Sequence, residues 1–259
     1  MKIDLTRPNN GRMLDYWLGG SHNFEIDRQL ADKVTSKLPI VKQLAPETRM
    51  LVKRGVEYFF SKGIRTILDF GSALPTCDNT HLVAQKLDPN LKVVYSDIDP
   101  ITVAYSQEIL AGDPHVIYLQ CDAANPRAML DSPQVRDFTG GDRRVGIIFL
   151  NLAHTMLDEA IRSSWQALYT WADPGSYLFV SNASKLFMTD PELNAVHTLY
   201  AKVNIVGCYR DEEEIRGLAA PWKITAEGIV NQRDWYGKVD LVRESRLLGY
   251  AAMLYKQNQ

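Results

Sequence analysis

A regular alternation of short apolar runs and helical patterns constrains the fold of this 259-residue chain more than any other feature. The apolar runs are nearly continuous, which is typical of strands buried on both faces of a parallel sheet. Right-handed crossovers between such strands give a doubly wound sheet. Strands are predicted at 65–70, 92–97, 116–121, 145–150 and 176–181, with helices at about 79–87, 100–111, 125–137 and 156–172.

The chain departs from this alternation at both ends. Residues 1–62 predict a helical segment, with two of its helices separated near Pro46. After residue 182, two helices precede strands at about 224–231 and 247–256. No helical crossover fits between those strands, so they should pair antiparallel.

We therefore predict an α/β fold that forms one structural unit. Its main part, residues 63–259, should be a doubly wound, mostly parallel seven-stranded sheet that ends in an antiparallel hairpin. Residues 1–62 should form a helical lid over the ligand site, although simple packing onto the sheet would explain the same aromatic and glycine-rich pattern.

Composition narrows the function. The net charge of −2 disfavours nucleic-acid binding, because nucleic-acid-binding proteins usually carry a basic surface. No apolar run approaches the length of a membrane-spanning helix. Three cysteines without metal-site spacing predict neither zinc nor disulfides and favour a cytoplasmic protein. Cys77 is expected to be a small neutral side chain, and the sequence carries no signal for oligomeric state.

The segment LDFGSALPTCDNTHLVAQ, residues 68–85, predicts a strand, a tight turn and a helix. Gly71 would let a ligand approach the backbone closely, and the following helix would present its N-terminus to a nucleotide-like group. Such a turn also occurs in α/β proteins without a cofactor. It therefore predicts a nucleotide-like ligand only in combination with other residues.

Acidic residues follow the next two strands. Asp97 ends the second strand, where a carboxylate accepts hydrogen bonds from both ribose hydroxyls and disfavours the 2′-phosphate of NADP. Asp99 precedes Pro100 and should mainly cap a helix. Asp122 follows the third strand and either accepts from an adenine amine or caps a helix. Together they predict an adenosine-containing cofactor.

The fourth strand ends at Asn151, with His154 in the loop beyond. This edge should face the reactive end of the cofactor. His154 is therefore a candidate base or substrate-orienting group, and a loop histidine bonded to backbone is the alternative. Aromatic residues further along could line an apolar pocket or belong to the core: Phe187, Tyr200, Trp222, Trp235 and Tyr236.

Four segments resemble the S-adenosyl methyltransferase family, which is abundant in actinobacteria: DYWLGGSHNFEIDR, GIRTILDFGSALPTCDNTHLVAQ, VVYSDIDP and DPGSYLFVS. The resemblance covers roughly residues 10–182. It implies a class I, Rossmann-like methyltransferase fold, S-adenosylmethionine (SAM) as the cofactor and S-adenosylhomocysteine (SAH) as the product.

We assign the cofactor and substrate residues from their positions at the predicted strand ends and from the family resemblance. Phe24 and Arg28, in the N-terminal signature, are assigned to the substrate. The cofactor site is assigned to Tyr16, Gly19, Gly20, Asn23, Arg49, Asp69, Gly71, Ser72, Ala73, Asn79, His81, Asp97, Ile98, Asp99, Asp122, Ala123 and Asn151. Ala73 departs from the family, which has a second glycine there. We expect alanine to fit the turn with φ below zero and to narrow the approach to the methionine end.

The sequence thus predicts a SAM-dependent methyltransferase that acts on a small molecule without a metal, with His154 as the candidate catalytic residue. The near-neutral charge, the lid and the lack of a basic stripe favour a small acceptor. The alternative is a regulatory or catalytically inactive methyltransferase-like protein that binds SAM or SAH. A NAD-dependent dehydrogenase is disfavoured because the chain lacks G-x-G-x-x-G.

Overall fold

Seven strands form the centre of the molecule. The computed structural model describes residues 7–75, 79–205, 207–236 and 246–257. The strands lie within two residues of their predicted ends: β1 (Thr66–Phe70), β2 (Lys92–Asp97), β3 (Val116–Gln120), β4 (Gly146–Phe149), β5 (Tyr177–Ala183), β6 (Lys223–Asn231) and β7 (Gly249–Tyr255).

The strands form one sheet in the order β3-β2-β1-β4-β5-β7-β6. The first five are parallel, and β7 runs antiparallel to both β5 and β6. The chain leaves β1 towards β2 on one side and later returns to β4 on the other. This reversal places a crevice at the carboxyl ends of β1 and β4, which is where ligands bind in open α/β sheets. The predicted fold class is confirmed.

Helices surround the sheet, and within the described residues none is long and apolar enough to cross a membrane. They are α1 (Asn10–Trp17), α2 (Glu25–Lys37), α3 (Val41–Ser61), α4 (Thr80–Leu87), α5 (Pro100–Ile109), α6 (Arg127–Leu130), α7 (Pro133–Thr139), α8 (Asp158–Trp171), α9 (Leu186–Thr189), α10 (Pro191–Ala201) and α11 (Glu212–Ala219). Short 3-10 helices occupy Ala153–Thr155 and Gln232–Tyr236.

Each face of the sheet buries its own apolar cluster. On one face, Ile67 of β1 packs in a cluster with Val56 and Phe59 of α3. On the other face, Leu68 of β1 belongs to a cluster with Trp165 of α8. Because side chains alternate along a strand, the residue two beyond Ile67 also faces α3 and α4. That residue, Asp69, belongs to the candidate site.

A third apolar cluster holds the N-terminal helices. Met13 of α1 and Leu30 and Val34 of α2 are buried with Leu193 and Val196 of α10. The N-terminal segment therefore packs against α10, which follows the parallel strands in the chain. This arrangement brings α1 to the crevice.

Two helix predictions were wrong. The helix α3 is continuous through Pro46, because packing of its apolar face, including Phe59, offsets the roughly 3 kcal/mol that an interior proline costs. The predicted helix at 125–137 is instead α6 and α7. The break occurs because Ser132 caps α7, accepting from the Val135 amide at 3.2 Å, and Pro133 starts it.

Candidate functional site

Three adjoining cavities lie at the carboxyl ends of the parallel strands. The first, of about 430 Å³, contains Asp97 and Asp122 and is called the acidic cavity. The second, of about 270 Å³, contains Arg49 and is called the arginine cavity. The third, of about 210 Å³, is called the apolar cavity and is lined largely by side chains such as Leu38, Val41 and Phe187.

Two asparagines connect the three cavities. Asn10, in the first turn of α1, and Asn151, which follows β4, line all of them. The cavities therefore form one continuous trough across the switch point of the sheet. The strand pattern predicted a site at this edge, and the predicted positions of Asp97, Asp122 and Asn151 meet there.

Asp97 lies at the end of β2 with both carboxylate oxygens partly used. Its Oδ1 accepts from the Asp99 amide at 2.9 Å and its Oδ2 from the Ala73 amide at 3.2 Å. Burial raises the pKa of Asp97 above its usual value, and these backbone hydrogen bonds oppose the shift. A carboxylate has about four lone-pair sites, so these backbone hydrogen bonds leave acceptor capacity for ligand hydroxyls.

The far wall of the acidic cavity combines an apolar surface with a carboxylate. Ile98 is 61% exposed, and Ala123 and Asp122 line the same cavity. The Oδ1 atom of Asp122 accepts from the Ala124 amide at 2.9 Å. The helix-cap alternative for Asp122 is wrong, because the next helix begins only at Arg127.

Asp99 caps a helix, as predicted, and also joins an ion-pair network. Its Oδ1 accepts from the Ile101 amide at 3.2 Å at the start of α5. Its Oδ2 accepts from Nη1 of Arg12 at 3.0 Å, and Nε of Arg12 donates to Asp27 at 2.8 Å. Asp99 therefore anchors the N-terminal helices beside the acidic cavity rather than facing its interior.

The turn after β1 adopts left-handed backbone at two positions. Gly71 has φ of 63° and Ala73 has φ of 54°. The expectation that Ala73 has φ below zero is therefore wrong. The turn is held by Tyr118 of β3, whose hydroxyl accepts from Ser72 Oγ and donates to the Ala73 carbonyl, each at 2.9 Å. These bonds offset the cost of left-handed backbone for a residue with a Cβ.

All three described non-glycine residues with left-handed backbone line the acidic cavity. They are Ala73, Asn151 and Asn204, with φ between 52° and 60°. Asparagine tolerates this region better than most residues. Such conformations concentrate at functional sites because the surrounding structure must hold them.

The arginine cavity brings together a buried carboxyl group and a guanidinium. Burial raises the pKa of Asp69 to about 7, and the Thr80 hydroxyl, which donates to it at 2.5 Å, and Arg49 of α3 oppose the shift. Gly71 and Ser72 line the same cavity. The cavity can thus receive both a carboxylate, beside Arg49, and an amine, beside Asp69.

His154 lies on the short 3-10 helix, between the arginine and apolar cavities. Burial, with a smaller contribution from nearby Arg210, lowers the pKa of His154 to about 4. The imidazole is therefore neutral at physiological pH. A group so weakly basic is better suited to hydrogen bonding than to proton abstraction near neutrality.

Arg210 fixes the loop that carries His154. Its guanidinium donates to the carbonyls of Ala153 at 3.0 Å and Met156 at 2.6 Å, on either side of the histidine. It also donates to Asp158 at 2.9 Å and to Asn182 of β5 at 2.9 Å. The sequence analysis did not identify Arg210, which lies far from His154 along the chain.

The N-terminal signature residues are placed outside the linings of the three cavities. Asn23 donates to Asp15 and to the Gly20 carbonyl, each at 2.9 Å, and Arg28 donates to Asn23. Tyr16, Gly19 and Phe24 belong to the same local structure. The Tyr16 hydroxyl donates to Asp32, Gly19 has a positive φ, and the Phe24 ring lies under the Arg12 guanidinium. Their geometry favours folding of the α1–α2 segment over ligand contact.

The residues that begin α4 are also placed apart from the cavity linings. Asn79 precedes the helix, and His81 is buried with its ring Nδ1 2.9 Å from the Tyr95 hydroxyl. Desolvation lowers the pKa of His81, so it is a neutral core residue. Thr76 and Cys77 lie outside the described residues.

Several lining residues were missed by sequence reasoning. Asn10 and Gly11 of α1 reach the acidic cavity only through tertiary packing, and Thr48 lines the arginine and apolar cavities. Of the aromatic candidates, Phe187 and Tyr200 line the apolar cavity. Trp222 and Trp235 pack in the core, and the side chain of Tyr236 lies outside what the structure describes.

Two solved structures are similar to this chain over nearly its whole length. A proposed methyltransferase from Thermobifida fusca YX is 30% identical, with a TM-score of 0.88 over 98% of this chain and 97% of that chain. A DUF574 family protein from Streptomyces avermitilis MA-4680 is 28% identical, with a TM-score of 0.87 over 98% and 100% of the two chains.

A more distant structure shares the fold alone. Human N-acetylserotonin methyltransferase in complex with SAM is 13% identical, with a TM-score of 0.55 over 98% of this chain and 64% of that chain. Comparison with curated proteins finds no match. The protein-family model described as S-adenosyl methyltransferase matches residues 1–256, and the chain therefore belongs to the S-adenosyl methyltransferase family.

Proposed function

We propose that this protein transfers the methyl group of SAM to a small-molecule acceptor and releases SAH. The observation that carries the proposal is the continuity of the trough. Asn10 and Asn151 line the acidic, arginine and apolar cavities alike. A cofactor spread over the first two cavities would therefore end where the apolar cavity begins.

The groups in the first two cavities fit the chemistry of SAM. Asp97 and Asp122 provide acceptors for ribose hydroxyls and an adenine amine, and exposed Ile98 offers an apolar surface to a base. Arg49 and Asp69 provide a cation and a carboxyl group for an aminocarboxylate. Gly71, with its positive φ, permits close approach to the backbone.

When bound, SAM supplies an electrophilic methyl group on a sulfonium centre. The contribution of the protein is then to hold the acceptor in line with that methyl group and to exclude water. Asn151 and the neutral His154, which line the boundary with the apolar cavity, would orient the acceptor by hydrogen bonds. The apolar walls beyond them would keep the site dry.

Two measurements test the proposal. Titration calorimetry with SAM, SAH and NAD should show saturable binding of the first two and much weaker binding of NAD. Turnover should then appear as SAH release when SAM and a panel of small acceptors are present. Absence of SAM and SAH binding would overturn the proposal, whereas tight binding without any turnover would favour the regulatory alternative.

We also propose a cytoplasmic location. The proposal is supported by the low number of cysteines, three in the whole chain. Cys121 and Cys208 are free thiols in the described part of the chain. Fractionation of the native host would test this location directly.

A further inference from the structure

The apolar cavity differs from its neighbours in charge. The acidic cavity contains Asp97 and Asp122, and the arginine cavity contains Arg49 and Asp69. Among the described residues that line the apolar cavity, none is Asp, Glu, Lys or Arg. Its one histidine, His154, is neutral because burial lowers its pKa to about 4. A charged ligand would therefore be desolvated there without a counter-charge, which is costly.

Hydrogen-bonding groups collect at one end of this cavity. The residues shared with the arginine cavity are all polar: Asn10, Thr48, Asn151, His154 and Tyr200. Desolvation raises the pKa of Tyr200, so its hydroxyl remains protonated. These side chains include both donors and acceptors and surround the point where the cofactor cavities end.

A pair of stacked aromatic rings also lines this cavity. The rings of Phe187 and Tyr209 stack with 8° between their planes and centroids 5.2 Å apart, and both line the cavity. The Tyr209 hydroxyl is 3.2 Å from Nδ1 of His197, which fixes its ring. Val34, Leu38 and Val41 add aliphatic surface. A planar apolar ligand can pack on such a pair either stacked or edge-to-face.

From this arrangement we infer that the acceptor is an uncharged molecule with a planar, apolar ring system and a hydroxyl head group. The hydroxyl would hydrogen-bond among the five shared polar residues, and the ring system would lie against Phe187 and Tyr209. This inference rests on the proposed function, since it assigns the apolar cavity to the acceptor. It predicts that nucleotides, phosphorylated sugars and free amino acids bind this cavity weakly.

A matched pair of probes tests the inference. Titration calorimetry of SAH-saturated protein should show 2-naphthol binding at least tenfold more tightly than 6-hydroxy-2-naphthoate, which differs by one carboxylate. Phe187→Lys places a cation in the cavity and should reverse that preference. Phe187→Leu, the uncharged control, should retain it. Unchanged SAH affinity in both variants would show that the fold is intact.

Three outcomes would overturn the inference: equal affinity for the two probes, tighter binding of the carboxylate by the unmodified protein, or no saturable binding of 2-naphthol. The affinities of the unmodified protein for the two probes test the inference even if a variant fails to fold. Failure of SAH to bind would instead refute the proposed function. In that case the preference between the two probes is measured on the cofactor-free protein, so the two failures are distinguishable.

Discussion

Nη1 of Arg12 donates a hydrogen bond to Oδ2 of Asp99 over 3.0 Å and so joins the N-terminal segment to the first turn of α5. The Arg12 side chain is only 3% exposed, and it also pairs with the fully buried Asp27. This contact sets α1 over the turn that follows β1. Gly11 consequently lies against Ala73, inside the acidic cavity.

Removing the guanidinium should loosen the N-terminal helices. Arg12→Met leaves Asp27 and Asp99 without their shared cation, and breaking a buried pair costs about 3–5 kcal/mol. Urea unfolding should show that loss of stability, and SAH affinity should fall because α1 lines the cavity. The matched control is Arg216→Met, whose ion pair with Glu212 on α11 is exposed and should be worth about 1 kcal/mol or less. Equal effects of the two substitutions would contradict this role for Arg12.

Gly11 and Ala73 should be energetically coupled. A Cβ added at Gly11 would lie 2.8 Å from the Ala73 Cβ, so Gly11→Ala should destabilise the protein by about 1–3 kcal/mol through overpacking. In the Ala73→Gly background the same change should cost less, because only the contacts with Asn9 Oδ1 at 3.1 Å and the residue 73 Cα remain, giving a coupling of about 1 kcal/mol or more in a double-mutant cycle. Gly217→Ala is the control, since a Cβ there meets nothing within 4 Å. Additive effects of the two substitutions would refute the contact.

Ala73→Gly alone should preserve or improve SAM binding. Glycine removes the roughly 1–2 kcal/mol cost of left-handed backbone at φ 54° but adds freedom to the unfolded chain, so stability should change little. Calorimetric titration with SAM checks the affinity. A marked loss of affinity would mean that the Ala73 methyl group itself contributes to cofactor binding, which would contradict this interpretation of the turn.

Ionisation of Asp69 should make the cofactor-free protein less stable as pH rises. Its folded-state pKa, raised by burial to about 7, exceeds that of the unfolded chain, so the folded state retains a proton that the unfolded state has lost. The stability of wild type relative to Asp69→Asn should therefore fall between about pH 4 and 7, by about 1.4 kcal/mol for each unit of pKa difference. Denaturant unfolding across this range measures the difference. A flat Asp69 profile would contradict the assigned environment.

Arg210 should influence His154 through both charge and position. Arg210→Gln removes the cation that contributes to the low histidine pKa of about 4, so NMR titration should show a higher His154 pKa. Arg210→Lys keeps the charge but not the fork that holds the Ala153 and Met156 carbonyls. It should leave the pKa low while disturbing the loop and lowering turnover. An unchanged His154 pKa in the glutamine variant would contradict the electrostatic contribution.

The strand ends were predictable because they depend on local pattern. Asp97, Asp122 and Asn151 follow apolar runs, and parallel strands bring such positions to one edge of a sheet. The helix cap at Asp99 was also readable, since Asp followed by Pro is a local signal. The side chains at the strand ends are therefore the part of the acidic cavity that could be predicted from the sequence.

The remaining site residues depend on contacts distant in sequence. Asn10 and Gly11 reach the cavity because Arg12 pairs with Asp99, 87 residues away. Tyr200 and Phe187 line the apolar cavity because α9 and α10 pack on the N-terminal helices. The left-handed backbone of Ala73 was missed for the same reason, since Tyr118 of β3, two strands away in the sheet, holds it. No periodicity or spacing encodes these relationships.

A crystal structure of the protein with SAH bound tests the central claim most directly. The account predicts adenosine in the acidic cavity, with ribose hydroxyls on Asp97, the amino-acid end beside Arg49 and the sulfur at the boundary with the apolar cavity near Asn151 and His154. Electron density for SAH in the apolar cavity, or a bound SAH that leaves Asp97 without a ribose contact, would contradict it.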